Sequence, residues 1–300
     1  MPVLFLCVIT QRGLYGPEAV LYMTMADARH LPVLMYHHVS NNPGLVTLSL
    51  RTFREQMQWL AENGWKTVSA AEMEFFYCGG KLPRKSVMLT FDDGYLDNWF
   101  YAFPVLQAFG LRAHIFLVTG LIGDGPARQH EESGGRHIFS HRECEALIVQ
   151  GRADDVMLRW SEVREMSRSG LVEFHLHTHT HRRWDLLDNV REPSVFLESD
   201  ILLGQARMRQ MTGSCSRHLC WPEGYYNPDY IRVAEKLGFT HLYTTERRMN
   251  SPVAGPRRIG RISTKEREHS GWLKRRLFYY TTPFFSSLLA LHKGPRLNDD

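Results

Sequence analysis

Val87-Met88-Leu89-Thr90-Phe91-Asp92-Asp93-Gly94 decides how the chain reads. A strong β run ends on two carboxylates and a glycine. Carboxylates at the C-terminal end of a strand lie where barrel enzymes keep their catalytic groups. Two side by side repel, so they are costly unless a cation lies between them or one holds a proton. Gly94 permits the sharp turn that lets both reach one site. Alone, the same letters also fit an ordinary Asp-Asp-Gly turn.

Outward from this run, short apolar stretches alternate with helical patterns. Strands are expected at Val33–Tyr36, Trp65–Val68, Val87–Phe91, His114–Val118, Val172–Leu176, His218–Trp221 and His241–Thr244, most bounded by Gly, Pro, Asp or Ser. Helices are expected over 52–63, where Phe53, Met57 and Leu60 recur at helical spacing, and over 96–109, 161–169 and 229–237. Ser69 and Glu72 have capping-box spacing. Strands alternating with helices imply a parallel sheet, and at this strand count a closed or distorted barrel. Gly123–Gly135, polar and glycine-rich, reads as a long surface loop.

A second constellation is Glu173-Phe174-His175-Leu176-His177-Thr178-His179-Thr180-His181. Four histidines in seven residues at a strand end are hard to explain as packing. His177, at the strand end, and His181, at the following turn, can converge on one ion. His175 and His179 share the alternation and could take their place. Neutral imidazoles with a carboxylate suit zinc and similar divalent metals.

Thr90-Phe91-Asp92-Asp93-Gly94 followed by His177-Thr178-x-x-His181 resembles the two signature motifs of the polysaccharide deacetylases, the NodB-homology carbohydrate esterases. The resemblance covers about residues 31–262. Leu31-Pro32-Val33-Leu34-Met35-Tyr36-His37-His38-Val39 is similar to the opening strand of the subgroup that includes poly-N-acetylglucosamine deacetylases, and Leu158-Arg159-Trp160-Ser161 through Glu173 to the lead into the histidine motif. The resemblance implies an α/β fold, a distorted (β/α)7–8 barrel in one domain. It implies hydrolysis of N-acetyl groups on acetamido sugars of a polysaccharide or lipid-linked glycan. The metal would be Zn2+, with Co2+ or Ni2+ as alternatives, held by Asp93, His177 and His181. Asp92 maps to the base that takes a proton from a metal-activated water.

The remaining roles also rest on the resemblance. His37 maps to the general acid of the subgroup, with His38 expected on the opposite face of its strand. The usual pattern would instead use a late Leu-x-His, for which only Leu291-His292 offers itself. Trp221-Pro222-Glu223-Gly224 resembles the Pro-x-Gly wall of the sugar groove, to which Tyr95 and His38 are added as substrate contacts. Most members place a base-orienting Arg two residues before that Pro; here Cys220 stands there. That leaves the orientation of Asp92 open, and with it the alternative of a catalytically impaired metal- and sugar-binding module. Two His and a carboxylate also serve non-haem iron oxygenases, although the paired Asp and βα alternation argue against that. Arg258-Ile259-Gly260-Arg261-Ile262 is similar to the last barrel strand, and Arg261 is either near the site or a salt-bridged strand end.

Composition agrees with one globular domain: 300 residues, 43% hydrophobic, 36 Lys or Arg against 32 Asp or Glu. A net charge of +4 without zinc-finger spacing or a basic helix interleaved with aromatics gives no case for nucleic acid. Five cysteines without a CxxC pair suggest no disulfide framework. Residues 1–30 read as an N-terminal extension from an over-extended start, 31–265 as the domain and 266–300 as a basic, aromatic tail. The apolar run near Met1 has no basic residue before it, so a cytoplasmic protein is expected. Residues 271–292 have the composition of a segment lying on the inner membrane face, or of a helix packed on the barrel.

Overall fold

The computed structural model describes residues 27–42, 44, 46–130, 138–264 and 270–282. In chain order the elements are β1 (Val33–Tyr36), β2 (His38–Val39), β3 (Thr47–Leu48), α1 (Leu50–Glu62), β4 (Lys66–Thr67), α2 (Ala70–Tyr77) and β5 (Ser86–Phe91). There follow α3 (Phe103–Phe109), β6 (Ala113–Leu117), α4 (His141–Val149), α5 (Trp160–Arg168), β7 (Val172–Leu176), α6 (Pro193–Thr212) and β8 (His218–Cys220). The last described elements are α7 (Pro228–Lys236), β9 (His241–Tyr243), β10 (Ile262–Ser263) and α8 (Ser270–Thr281).

The main sheet runs β10-β1-β5-β6-β7-β8-β9 with every ladder parallel, and β4 pairs with the first residues of β5. Ile262 pairs with Leu34 of β1, while Ile259, three residues earlier, bridges Tyr243 of β9. One short segment therefore touches both edges and draws the sheet into the distorted barrel expected from the sequence. Asn250 holds that segment, accepting from Gly260 N–H at 2.8 Å and donating to the carbonyls of Gly260 and Leu31.

Pleating sends alternate strand residues to two different cores. Val87, Leu89 and Phe91 face the helix layer with Leu34, Ile115, Leu117 and Leu219. Val33, Met88, Phe116, Cys220 and Tyr243 fill the barrel interior, whose floor is plugged by Met73 and Phe76 of α2. Ser69 caps α2 through the capping box with Glu72. The interior thus carries histidines at the floor, aromatics in the middle, and Asp92 and His177 at the rim.

Three features differ from the sequence expectation. The helix expected over 96–109 is split: residues Asn98–Ala102 form a wide π turn before α3, because Pro104 lacks an N–H for the α ladder and Asn98 Nδ2 donates to His37 O at 2.9 Å. The loop from Gly123 is anchored rather than purely superficial. Arg128, buried, forks onto Glu162 of α5 at 2.7 and 2.8 Å; residues 131–137 lie outside the described ones. The third is α6, a helix not among those expected: its apolar Val195, Phe196, Leu202 and Leu203 are exposed, so the segment has no clean stripe to read.

Of the proposed tail, Ser270–Thr281 forms α8 and buries Leu273, Leu277 and Tyr280 in the core that also holds Phe53 of α1, while residues 266–269 lie outside the described ones. Burying each leucine stabilises the fold by about 1.5–3 kcal/mol. Residues 283–292, with Leu291 and His292, and the N-terminal extension up to residue 26 lie outside the described residues. Cys144, Cys215 and Cys220 are free thiols.

Candidate metal and catalytic centre

Neighbouring strand residues point to opposite faces, yet Asp92 and Asp93 both reach the rim around His177 at the end of β5, because Asp93 adopts left-handed backbone, φ 72°. Gly94 follows with φ 87°, and a Cβ there would meet Leu117 Cδ2 at 2.6 Å, so only glycine fits the turn. On the neighbouring loop Thr178 and His181 are also left-handed, φ 60° each. Thr178 Oγ1 accepts from His181 N–H, and the buried Asp200 of α6 accepts from Thr180 N–H at 3.0 Å.

These turns bring Asp93, His177 and His181 together. Nε2 of each histidine lies 3.5 Å from Asp93 Oδ1, and the two rings are 4.7 Å apart. His177 Nδ1–H donates to the Cys220 carbonyl at 2.8 Å, which leaves the Nε2 lone pair turned to the carboxylate. Burial, reinforced by His181, pushes His177 down to about 4, so it is neutral at pH 7. Burial alone would raise Asp93, but His181 and His37 outweigh it and hold it below the usual carboxylate range. Two imidazoles, that of His177 neutral and tethered by its outer nitrogen, and an ionised carboxylate fit a divalent metal.

The sequence left His175 and His179 open as substitutes, and the structure separates them from the triad. His175 points to the barrel floor, and His179 Nδ1 pairs with Thr119 Oγ1 at 2.9 Å.

Asp92 is 3% exposed, and its orientation comes from Arg261. The guanidinium, 1% exposed, forks onto Oδ1 at 2.6 Å and Oδ2 at 2.8 Å, while its Nε–H donates to Thr244 O at 2.8 Å. Burial would push Asp92 up; the Arg261 pair overturns that and keeps it ionised, well below the usual carboxylate range. Cys220 completes the contact: its Sγ accepts from Arg261 at 3.1 Å and its S–H faces Asp92 Oδ2 at 3.8 Å. Burial keeps that thiol protonated. The charge that Cys220 does not supply thus arrives from the chain just before β10. The sequence signal was Arg261 in the last-strand motif; its approach to Asp92 depends on barrel closure.

His37 Nε2 stands 3.7 Å from Asp92 Oδ2, with its side chain 19% exposed at the rim. Burial lowers its pKa, against the pull of Asp92 and Asp93. His38, expected among the groove residues, is turned away: it is 1% exposed, with Nδ1 2.6 Å from Asp97 Oδ2 and Nε2 3.2 Å from His141 Nδ1. Strand alternation forces this once His37 faces the rim. Tyr95, also expected there, packs against the His38 ring with centroids 3.8 Å apart and planes tilted by 30°, and is 5% exposed. Trp221 is fully buried and packs on Tyr226 and Tyr230, so it supports the Pro222 turn from behind rather than touching substrate. Pro222 is buried as well, which leaves Glu223 and Gly224 as the accessible part of that wall. Glu223, left-handed at φ 55°, pairs with Arg183 at 2.9 Å.

The sequence model of the polysaccharide deacetylase family matches residues 79–242. The protein YxkH of Bacillus subtilis is 29% identical over 217 residues, which cover 72% of this chain and 64% of that one. The poly-beta-1,6-N-acetyl-D-glucosamine N-deacetylase of Escherichia coli K12 is 33% identical over 224 residues, 66% of this chain but 31% of its own length. This chain therefore spans less than two thirds of either relative. The structure of IcaB from Ammonifex degensii superposes with a TM-score of 0.66 at 26% identity, covering 84% of this chain and 98% of that one.

Proposed function

The chain belongs to the polysaccharide deacetylase family, and we propose that it hydrolyses N-acetyl groups of an amino-sugar glycan at the Asp92–Asp93–His177–His181 rim. The observation that carries this is the pairing of a metal-ligand set with a separate, Arg-clamped carboxylate beside it. We assign the ligand role to Asp93, His177 and His181, and Zn2+ as the ion. When bound, Zn2+ acidifies a water molecule and polarises the acetyl carbonyl.

The chain's own groups do the rest. Asp92, ionised by Arg261, takes the proton of the attacking water on a carboxylate that cannot rotate. His37, within 3.7 Å of Asp92, delivers a proton to the departing amine nitrogen. Water and amide become acetate and a free amino sugar, with no co-reactant needed. The impaired-module alternative drew its support from the missing Arg, and Arg261 removes that motive.

The substrate is proposed as a β-1,6-linked N-acetylglucosamine polymer, the class named for the Escherichia coli relative. Acetate release from β-1,6- and β-1,4-linked N-acetylglucosamine oligomers by zinc-loaded protein tests both points. Absence of release from either, with bound zinc verified, would sink the function; preference for the β-1,4 series would sink the substrate. We further propose a cytoplasmic location with peripheral contact at the inner membrane face. Lys274, Arg275, Phe278 and Tyr279 on the exposed side of α8 support it, and co-sedimentation with anionic vesicles measures it. No helix among the described residues is long and apolar enough to cross a membrane.

A further inference from the structure

At the barrel floor, opposite the Asp93 rim, a buried imidazole nitrogen has no hydrogen-bond partner: Nε2 of His241. His241 is 6% exposed, and its ring stacks on His218 with centroids 4.5 Å apart and planes 10° off parallel. His218 Nε2 lies 3.3 Å from Glu74 Oε1, on the helix that plugs the floor. One ligand atom from each of Glu74, His218 and His241 falls within 4.8 Å of the other two.

The outer nitrogens of both rings are tied to hydroxyl oxygens. His241 Nδ1 is 2.9 Å from Thr240 Oγ1, and His218 Nδ1 is 2.9 Å from the Tyr243 hydroxyl. When each Nδ1–H donates to its oxygen, both Nε2 lone pairs are left for a cation, that of His218 beside Glu74 Oε1 and that of His241 without any partner. Tyr243 can then pass its own hydrogen to Met88 Sδ, 3.4 Å away. Burial lowers the pKa of both histidines, so both are neutral ligands at pH 7. Arg217 engages Glu74 Oε2 from the exposed side and leaves Oε1 to the floor.

The adjacent cluster of His114, Glu173 and His175 has no such vacancy. His114 Nε2–H donates to Val68 O at 2.8 Å, so its Nδ1 accepts from His175 Nε2–H at 2.9 Å. His175 Nδ1 in turn accepts from Ser216 Oγ–H at 2.7 Å. Glu173 accepts from Ala70 N–H at the start of α2. Every ring nitrogen there is already used.

We propose that Glu74, His218 and His241 form a second divalent-cation site of the zinc class, distinct from the Asp93 centre. Two imidazoles and one carboxylate are a donor set that suits Zn2+, Co2+ or Ni2+. An ion there pairs the orphaned nitrogen and joins the α2 plug to β8 and β9.

The test is metal stoichiometry on the full chain, stripped by chelator and reloaded with Zn2+. Two equivalents are expected in the unsubstituted protein. One is expected in His241→Gln and one in Glu74→Gln, both with acetate release unchanged. Glu74 is half-buried on α2, so its amide variant folds whatever the floor holds. In Asp93→Asn, which keeps only the floor site, Zn2+ should raise the melting temperature, and adding His241→Gln should abolish that rise. Fewer than two equivalents in the unsubstituted chain, or two in either floor variant, overturns the proposal.

Discussion

His177 and His181 at the rim, and His175, His218 and His241 at the floor, are solved in opposite ways. At the floor the imidazoles are ordinary strand residues, flat against one another across β7, β8 and β9. At the rim the chain is distorted to aim them. Asp93, Thr178, His181 and Glu223 are the only non-glycine residues with positive φ among the described ones, and all four are there. Each such residue costs about 1 kcal/mol, a strain that persists where the surroundings over-determine it. Burial lowers the pKa of His177 at the rim as it does those of His175, His218 and His241 at the floor. What sets the rim apart is therefore aim, with an ionised carboxylate pinned by Arg261.

The strongest way to break the contrast is Asp92→Asn. Acetate release should fall about 10³-fold with zinc content unchanged; a fall under about tenfold would put the base elsewhere. Next comes Arg261→Gln, which leaves Asp92 buried without its cation and should cost about 3 kcal/mol in denaturant unfolding. With the guanidinium gone, burial dominates and the Asp92 pKa rises, so the acid limb of the pH–rate profile should move to higher pH. An unmoved limb would show that Arg261 does not set the charge of Asp92.

The floor is tested by acid. His241 titrates near 6.5 when unfolded and at about 4 when folded, because burial disfavours its charged form. Its contribution is intact above pH 6.5 and is lost as pH falls from 6.5 towards 4, on the order of 2–3 kcal/mol. In metal-free buffer, His241→Gln should flatten the fall in melting temperature over that window; an unchanged slope would discount the burial effect. The smallest change expected is Glu223→Gly, which relieves left-handed strain while losing an exposed pair to Arg183. Stability should shift by less than about 1 kcal/mol in either direction.

The rim was largely legible because its key residues sit in two contiguous motifs, and the strand centres were legible because apolar runs alternate with helical spacing. Arg261 was only half legible, left either near the site or as a salt-bridged strand end, since it meets Asp92 across 169 residues and only through the closing segment at Ile259 and Ile262. Cys220 signalled a missing charge without saying where its replacement stood. The floor was hidden for a related reason. His218 and His241 become neighbours only once β8 and β9 pair in register. His38 and Trp221 misled because motif membership does not reveal which way a side chain faces.

Arg261 lies on the segment that joins the two edges of the sheet, so the order of synthesis matters. Asp92 leaves the ribosome long before its counter-charge does. Until residues 259–263 dock, the carboxylate has no buried cation and gains nothing by being both enclosed and ionised. The last turn of the barrel thus couples closure to charge: a chain that fails to close also lacks the cation that keeps Asp92 ionised, the state that the proposed base requires.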